Sequence, residues 1–298
     1  MRYGTRDTGR WVLSIEAAVP AAILERLRAV RGFVFDLDGT LVLGDKHTAG
    51  LHALPGALEF TRSLAARRVP FVVLTNGTVR APAQNADSLR ALGFPIEEGM
   101  VVTPASVAAD YFLRRGIRRI LVLGGEGITE PLRAAGLEAV LPRDRTGDVD
   151  AVLIGWFREF TVEDLEAACD AAWGGARIFA ASLAPFYATA DGRALGTSRA
   201  IAAMITSVTG RRATVLGKPS LYALRVAAAR IGVAAAALGV VGDDPDLEVP
   251  MAERGRALAI VVRSGLGSAA AAAVSAPDVR PYLRVDNLAE LAGLYHQT

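Results

Sequence analysis

The sequence predicts an α/β protein built on parallel sheet, folded as one large or two medium domains. Three observations carry this. From residue 33 onward, short apolar runs alternate with helical stretches, the pattern of strand–helix–strand units. The runs are apolar on both faces, as strands covered by helices on both sides must be. The chain has 298 residues, 52% of them hydrophobic and 21% charged, which is material for one large or two medium domains.

In chain order, residues 1–30 form an extension with no visible chemistry, helical over 21–30 with Pro20 at its first turn. Phe33-Val34-Phe35 is a buried strand that ends in Asp36-Leu37-Asp38-Gly39-Thr40. A loop over 41–54 contains Gly44 and Gly50, and Pro55-Gly56 leads into a helix over 57–68. A strand over 70–74 ends in Thr75-Asn76-Gly77-Thr78, and a helix over 82–92 stops at Gly93. A second α/β run fills 104–210. Its strands are expected at 119–123, 151–154 and 178–181, and its helices at 128–135, from the capping box at Thr161 and Asp164 to Trp173, and at 198–208. Gly124-Gly125-Glu126-Gly127 lacks the spacing of a dinucleotide or P-loop motif and reads as a strand-to-helix turn. The last part holds Val215-Leu216-Gly217-Lys218-Pro219, with Ser220 capping a helix. A strand over 238–241 then ends in Gly242-Asp243-Asp244, strands follow at 258–262 and 283–285, and Asp286 caps the final helix.

Composition narrows the function. Thirty-three basic and 31 acidic residues leave a formal charge of +2 with no long basic run, so nothing asks for nucleic acid or an acidic membrane. The single cysteine, Cys169, excludes an intrachain disulfide and a cysteine zinc cluster, and it reads as a buried core thiol. Three histidines, His47, His52 and His296, make a histidine-rich metal site improbable. No apolar run reaches the ~20 residues of a membrane span, and residues 11–22 lack a signal-peptide layout, so a cytoplasmic location is expected. The alanine runs at 234–237 and 269–273 are compositional bias.

Four places then offer polar groups next to apolar strands or glycine turns: Asp36 with Asp38, Thr75 with Asn76, Lys218, and Asp243 with Asp244. Singly, each has a plain reading as a helix cap, a turn or a surface lysine. Two carboxylates at i, i+2 repel each other, and a hard divalent cation such as Mg²⁺ relieves that while pairing with substrate phosphate. In open α/β sheets, ligands sit beyond the carboxyl ends of the strands, where these groups lie. Together they describe phosphoryl transfer: a carboxylate nucleophile, a second acid, and a hydroxyl, amides and a cation for the phosphoryl oxygens.

These motifs, in this order, resemble the haloacid dehalogenase (HAD) superfamily. Asp36-Leu37-Asp38-Gly39-Thr40 matches its first motif, Thr75 its second, Lys218 in Gly-Lys-Pro its third, and Gly242-Asp243 with Glu248 its fourth. The Leu74-Thr75-Asn76-Gly77 and Gly217-Lys218-Pro219 contexts are similar to the class IIA-capped branch of nitrophenyl, pyridoxal and phosphoglycolate phosphatases. The resemblance implies a Rossmann-like core over 31–103 and 211–298 with an α/β cap of the C2 type inserted at 104–210. It implies a Mg²⁺-dependent phosphatase for a small phosphorylated metabolite, working through an aspartyl-phosphate, with a possible homodimer through the cap. Asp36 would be the nucleophile and Asp38 the acid and base. Thr75, Asn76 and Lys218 would hold the phosphate. Asp36, Asp38 and Asp243 would bind the metal, supported by Asp244 or Glu248. Ser182 and Leu183 would form the cap's substrate loop. The alternatives are a phosphotransferase or mutase using the same intermediate, and a non-catalytic phosphate-binding member. Two departures stand out. Leu247-Glu248 replaces the branch's usual Thr-Asp, and Ala180-Ala181-Ser182-Leu183-Ala184-Pro185 lacks the Asn and Asp of the usual cap segment.

Overall fold

In a strand, successive side chains point to opposite faces, so an all-apolar strand needs cover on both sides. Gly32–Phe35 has it: Phe33 and Phe35 enter one apolar cluster and Val34 another. The computed structural model describes residues 19–45, 50–145, 147–265 and 282–297. The first part of the N-terminal extension, His47 and the alanine run at 269–273 lie outside the described residues.

The first stretch comprises α1 (Ala21–Arg28), β1 (Gly32–Phe35), β2 (Val42–Leu43), β3 (His52–Ala53), α2 (Ala57–Ala66), β4 (Phe71–Leu74), α3 (Pro82–Ala91), β5 (Val101–Val102) and α4 (Pro104–Leu113). The middle holds β6 (Arg119–Leu123), α5 (Glu126–Ala134), β7 (Glu138–Val140), β8 (Ala151–Ile154), α6 (Val162–Trp173), β9 (Arg177–Ala180), β10 (Phe186–Thr189), β11 (Gly192–Leu195), α7 (Thr197–Thr209) and β12 (Thr214–Val215). The chain ends with α8 (Leu221–Ile231), β13 (Leu238–Gly242), α9 (Pro245–Gly255), β14 (Leu258–Val262), β15 (Leu283–Val285) and α10 (Leu288–Gln297).

Two parallel sheets result. The first has the order β15-β14-β13-β1-β4-β5 and the second β12-β9-β8-β6-β7. In the first, the chain leaves β1 toward β4 on one side and returns to β13 on the other. That reversal opens a crevice at the carboxyl end of β1. One apolar cluster runs from Val34, Val72 and Val240 of the first sheet through Phe112 and Leu224 to Ile120, Leu153 and Phe179 of the second, so the sheets share a continuous core. Cys169 is buried in the second sheet's outer cluster. No described helix is long and apolar enough to cross a membrane.

Three details depart from the expectations. The last helix is capped by Asn287, whose Oδ1 accepts the Ala289 and Glu290 N–H groups, while Asp286 pairs with Arg263. β12 belongs to the second sheet, so by sheet membership the chain returns to the first sheet after Val215 and not after residue 210. Strands β5, β7 and β12, the β10–β11 hairpin, and the β2–β3 pair in the stretch expected as a loop add to those expected; at two to four residues each, they are too short for a periodic signal.

Candidate active site

β13, β1 and β4 are neighbours in the first sheet, and Asp243, Asp36 and Thr75 stand at their carboxyl ends. Parallel strands lie ~4.8 Å apart, so three adjacent ends bring these groups onto one floor. Asp38, Asn76, Lys218 and Asp244 join them around one cavity of about 100 Å³.

Lys218 organises the floor. Its Nζ lies 2.6 Å from Asp36 Oδ1 and 2.7 Å from Glu248 Oε1, with both the lysine and the glutamate buried. Burial pushes the ammonium's pKa down, but the charges and hydrogen bonds of Asp36 and Glu248 outweigh it and raise it above the usual lysine range. Asp36 Oδ1 also accepts the Leu37 N–H at 2.7 Å. Glu248 Oε2 accepts the Asp244 N–H at 3.1 Å. A side chain added at Gly242 would come within 2.3 Å of Glu248 Cδ, so this glycine makes the glutamate's seat.

Asn76 fixes the lysine's backbone. Its Oδ1 accepts the Lys218 N–H at 2.7 Å, while its Nδ2 donates to Lys218 O at 3.1 Å and to Ser182 Oγ at 3.2 Å. Thr75 is buried, and its Oγ1 accepts the Gly77 N–H at 2.8 Å, which leaves its own O–H to donate. Asp38 borders the cavity, and its carboxyl is pushed up to about 7. Burial is the main cause and the charge of Asp36 the second; Lys218 and Arg80 pull the other way.

The donors present fit a hard divalent cation. Asp243 is buried between two glycines: a Cβ on Gly39 would lie 2.3 Å from its Oδ2 and one on Gly265 would lie 2.0 Å away, so neither position accepts a side chain. Gly39 has φ +84°, and Ser264 Oγ donates to its carbonyl at 2.8 Å. Besides Lys218, the charged residues bordering the cavity, Asp36, Asp38, Asp243 and Asp244, offer carboxylate oxygens. Among the described residues, no three His, Cys, Asp or Glu side chains form a metal cluster on their own. A cation here would take carbonyl, water and substrate oxygens as well, which is how Mg²⁺ is usually held.

Two expected residues have partners of their own. Glu248 accepts the Lys218 ammonium on Oε1 and the Asp244 N–H on Oε2, which ties it to the lysine. Leu183 packs into the second sheet's outer cluster, and only Ser182 of that pair borders the cavity. Asp244 does border it, and its Oδ1 caps α9 by accepting the Asp246 N–H at 3.0 Å.

The loop after β8 and the β10–β11 hairpin close the cavity with residues the motifs do not announce, Trp156 from the loop and Phe186 and Tyr187 from the hairpin, joined by Leu247 from α9. Trp156 follows the end of β8, and reading that strand end as the first sheet's ends were read would have found it. The closure is pinned. The Trp156 N–H donates to Thr78 Oγ1 at 2.8 Å, and the Ala190 N–H at the hairpin turn donates to Gly44 O at 2.8 Å. A Cβ on Gly127 would sit 2.3 Å from Thr78 O, so the glycine-rich turn serves this close approach.

Comparison with known proteins bears on this geometry. A family profile described as haloacid dehalogenase-like hydrolase matches residues 33–138, and a second HAD-hydrolase-like profile matches 215–291. Sugar-phosphatase AraL of Bacillus subtilis is 30% identical over 223 residues, which cover 74% of this chain and 78% of that protein. The chain belongs to the haloacid dehalogenase-like hydrolase family. Chronophin of Rattus norvegicus is 28% identical, covering 91% of this chain and 90% of its own. The crystal structure of a 4-nitrophenylphosphatase from Thermotoga maritima superposes with a TM-score of 0.78 at 26% identity, over 90% of this chain and 98% of that one. These relatives place this HAD hydrolase in the class IIA-capped branch of phosphatases, with the second sheet as its cap.

Proposed function

We propose that this HAD phosphatase hydrolyses a small organic phosphomonoester through an aspartyl-phosphate on Asp36, with Mg²⁺ at the site. The observation that carries the reading is the buried Lys218 shared between Asp36 and Glu248 on the cavity floor, beside an Asp38 held near neutrality. Asp36 attacks phosphorus as its ester P–O bond breaks. Asp38, protonated in part at neutral pH, gives its proton to the departing alkoxide. As a carboxylate, Asp38 then takes a proton from water, whose oxygen attacks the phosphorus of the aspartyl-phosphate. Phosphate leaves and Asp36 is restored. Lys218 neutralises phosphoryl charge, and the Thr75 hydroxyl donates to a phosphoryl oxygen. Asp36, Asp243 and the Asp38 carbonyl would hold Mg²⁺, which supplies charge stabilisation to the phosphoryl group. The pinned cap excludes bulk water and suits a small substrate.

The test is phosphate release from a panel of small phosphomonoesters, with Mg²⁺ and with EDTA. Release should require the metal and vanish in Asp36→Asn with folding intact. Turnover retained in that variant would overturn the nucleophile assignment.

A further inference from the structure

Away from the active site, α4 and α8 form a groove of about 490 Å³ that shares no residue with the active-site cavity. The size is that of a small-molecule site. Helical spacing builds both walls. On α4 and its C-cap, Ser106, Asp110 and Arg114 recur every four residues. On α8, Tyr222, Arg225, Val226 and Ala229 recur at i, i+3, i+4 and i+7, and Arg230 joins them from the last turn. The walls are fixed by packing. The Tyr222 ring meets Tyr111 edge-on with centroids 5.1 Å apart, and Tyr111 meets Phe179 of β9 at 5.5 Å. α8 begins three residues after Lys218, so the groove joins the helix that follows the lysine to the helix that leads into the second sheet.

Three arginines share this groove with one carboxylate, and that carboxylate is already matched. Arg114 Nε lies 3.1 and 3.0 Å from the two Asp110 oxygens, and the Tyr222 hydroxyl donates to Oδ2. Burial pushes the Asp110 carboxyl up, but these hydrogen bonds and the charges of Arg114 and Arg230 outweigh it and hold it below the usual range. Ser106 is committed too: its hydroxyl donates to Thr103 O and accepts the Thr103 N–H in the α4 cap. Arg225 and Arg230 are exposed, and neither has a hydrogen bond or an ion pair to a described residue; Arg230 acts on Asp110 through its charge alone. A lone exposed arginine needs no partner. Two without one, lining a single groove beside a third, offer the planar forks that phosphate groups fit.

We propose that the α4–α8 groove is a second binding site, for a small polyanion with at least two linked phosphate groups, held by the guanidiniums of Arg225 and Arg230. The two residues are five apart, ~7.5 Å along the helix, which suits separate phosphate groups. An anion with one such group gains one fork and still faces Asp110; the second group brings the second fork. Arg114 adds its charge from the α4 side while it holds Asp110. A ligand seated here bridges α4 and α8, so it stabilises the folded chain by mass action.

The experiment uses the full chain in EDTA, with inorganic pyrophosphate as the probe and calorimetry and Tm as readouts. Salt is held at ~0.15 M, where exposed charges are screened beyond ~8 Å. The parent should bind, and its Tm should rise. Arg225→Gln/Arg230→Gln should weaken binding by roughly a hundredfold, about tenfold for each charge-assisted bond lost, with phosphatase turnover unchanged in the absence of probe. Arg211→Gln/Arg212→Gln removes the same charge from the exposed loop after α7 and should leave affinity within about twofold. Asp110→Asn removes the groove's carboxylate and should tighten binding by roughly threefold or more. Sulfate should bind at least roughly tenfold more weakly than pyrophosphate. Adenosine diphosphate separates two carriers of the group: tighter binding than pyrophosphate points to a nucleotide, weaker binding to a free diphosphate, and either supports the site. No binding and no Tm rise in the parent would overturn the inference. Equal loss in the two double variants would show diffuse charge attraction and overturn it. Full binding in Arg225→Gln/Arg230→Gln would put the probe on the active-site floor and overturn it, as would sulfate binding as tightly as pyrophosphate or an Asp110→Asn that binds no tighter than the parent. None of these outcomes bears on the phosphatase reading.

Discussion

Glu248→Gln separates two roles for the fourth motif's last acid. In the structure, Glu248 Oε1 takes the Lys218 ammonium at 2.7 Å and Oε2 takes the Asp244 N–H at 3.1 Å. Glutamine has one acceptor oxygen and one donor nitrogen, so one of these contacts becomes donor against donor. Breaking a buried pair costs about 3–5 kcal/mol when it strands a charge. Here Lys218 keeps Asp36 at 2.6 Å, so its charge is not stranded. The expected loss is nearer the ~1–3 kcal/mol of an unsatisfied buried group. Thermal or denaturant unfolding reads that loss. In turnover, Lys218 is drawn fully onto Asp36 and damps the nucleophile, so kcat should fall by roughly ten- to a hundredfold, the rate equivalent of ~1.4–2.7 kcal/mol. The half-saturating Mg²⁺ concentration should stay within about twofold, because Glu248 acts on the lysine. A rise in that concentration of roughly tenfold or more, with kcat recovered at saturating metal, would refute the argument and return Glu248 to the metal's waters.

Three further substitutions probe the frame around the site. Gly265→Ala would place a Cβ 2.0 Å from Asp243 Oδ2 and 2.7 Å from Gly39 Cα, so it should weaken Mg²⁺ dependence by at least roughly tenfold, read as half-saturation of phosphate release. Asn76→Ala removes both side-chain bonds to the Lys218 backbone and should cost ~1–3 kcal/mol in unfolding, with a fall in kcat. In the cap, Asp150 Oδ2 accepts the Arg118 and Arg119 N–H groups at 2.8 and 2.9 Å, and these bonds hold its carboxyl below the usual range. Its folded pKa is depressed, so its stabilisation is present above the unfolded value near 4 and is lost as pH falls through the folded value. The Tm gap between the parent and Asp150→Asn should therefore be full at pH 7 and close in acid; a gap independent of pH would show that the charge is irrelevant.

Asp36, Thr75 and Asp243 are legible in the sequence because each follows a run apolar on both faces, which a parallel sheet alone explains. Lys218 is different. Its strand, Thr214–Val215, is two residues long, and only the resemblance of Gly-Lys-Pro marks it. The site's wall is harder to read. Which of two adjacent loop residues faces a cavity is set by tertiary packing, so Ser182 lines it while Leu183 turns into the cap's core. Phe186 and Tyr187 lie on a hairpin whose Ala188, Ala190 and Gly192 weaken its strand signal. Asp286 and Asn287 are both good caps, and a one-residue choice between them lies below what spacing resolves.

The Leu247-Glu248 pair shows how neighbouring positions divide their work. One helical step is 100°, so two consecutive residues at the start of α9 face different surroundings. Leu247 lines the cavity, and Glu248 turns inward to Lys218 over the space left by Gly242. A change from Thr-Asp to Leu-Glu is therefore two independent changes. The first alters what the wall recognises. The second moves the carboxylate one methylene further along its chain while keeping a charge for the lysine. Neither touches the Asp243 cradle of Gly39 and Gly265. Leu247→Thr should accordingly shift the ranking of substrates at constant metal dependence, whereas Glu248→Gln should depress turnover for all of them alike. If the two variants moved the same kinetic parameter, this division of roles would fail.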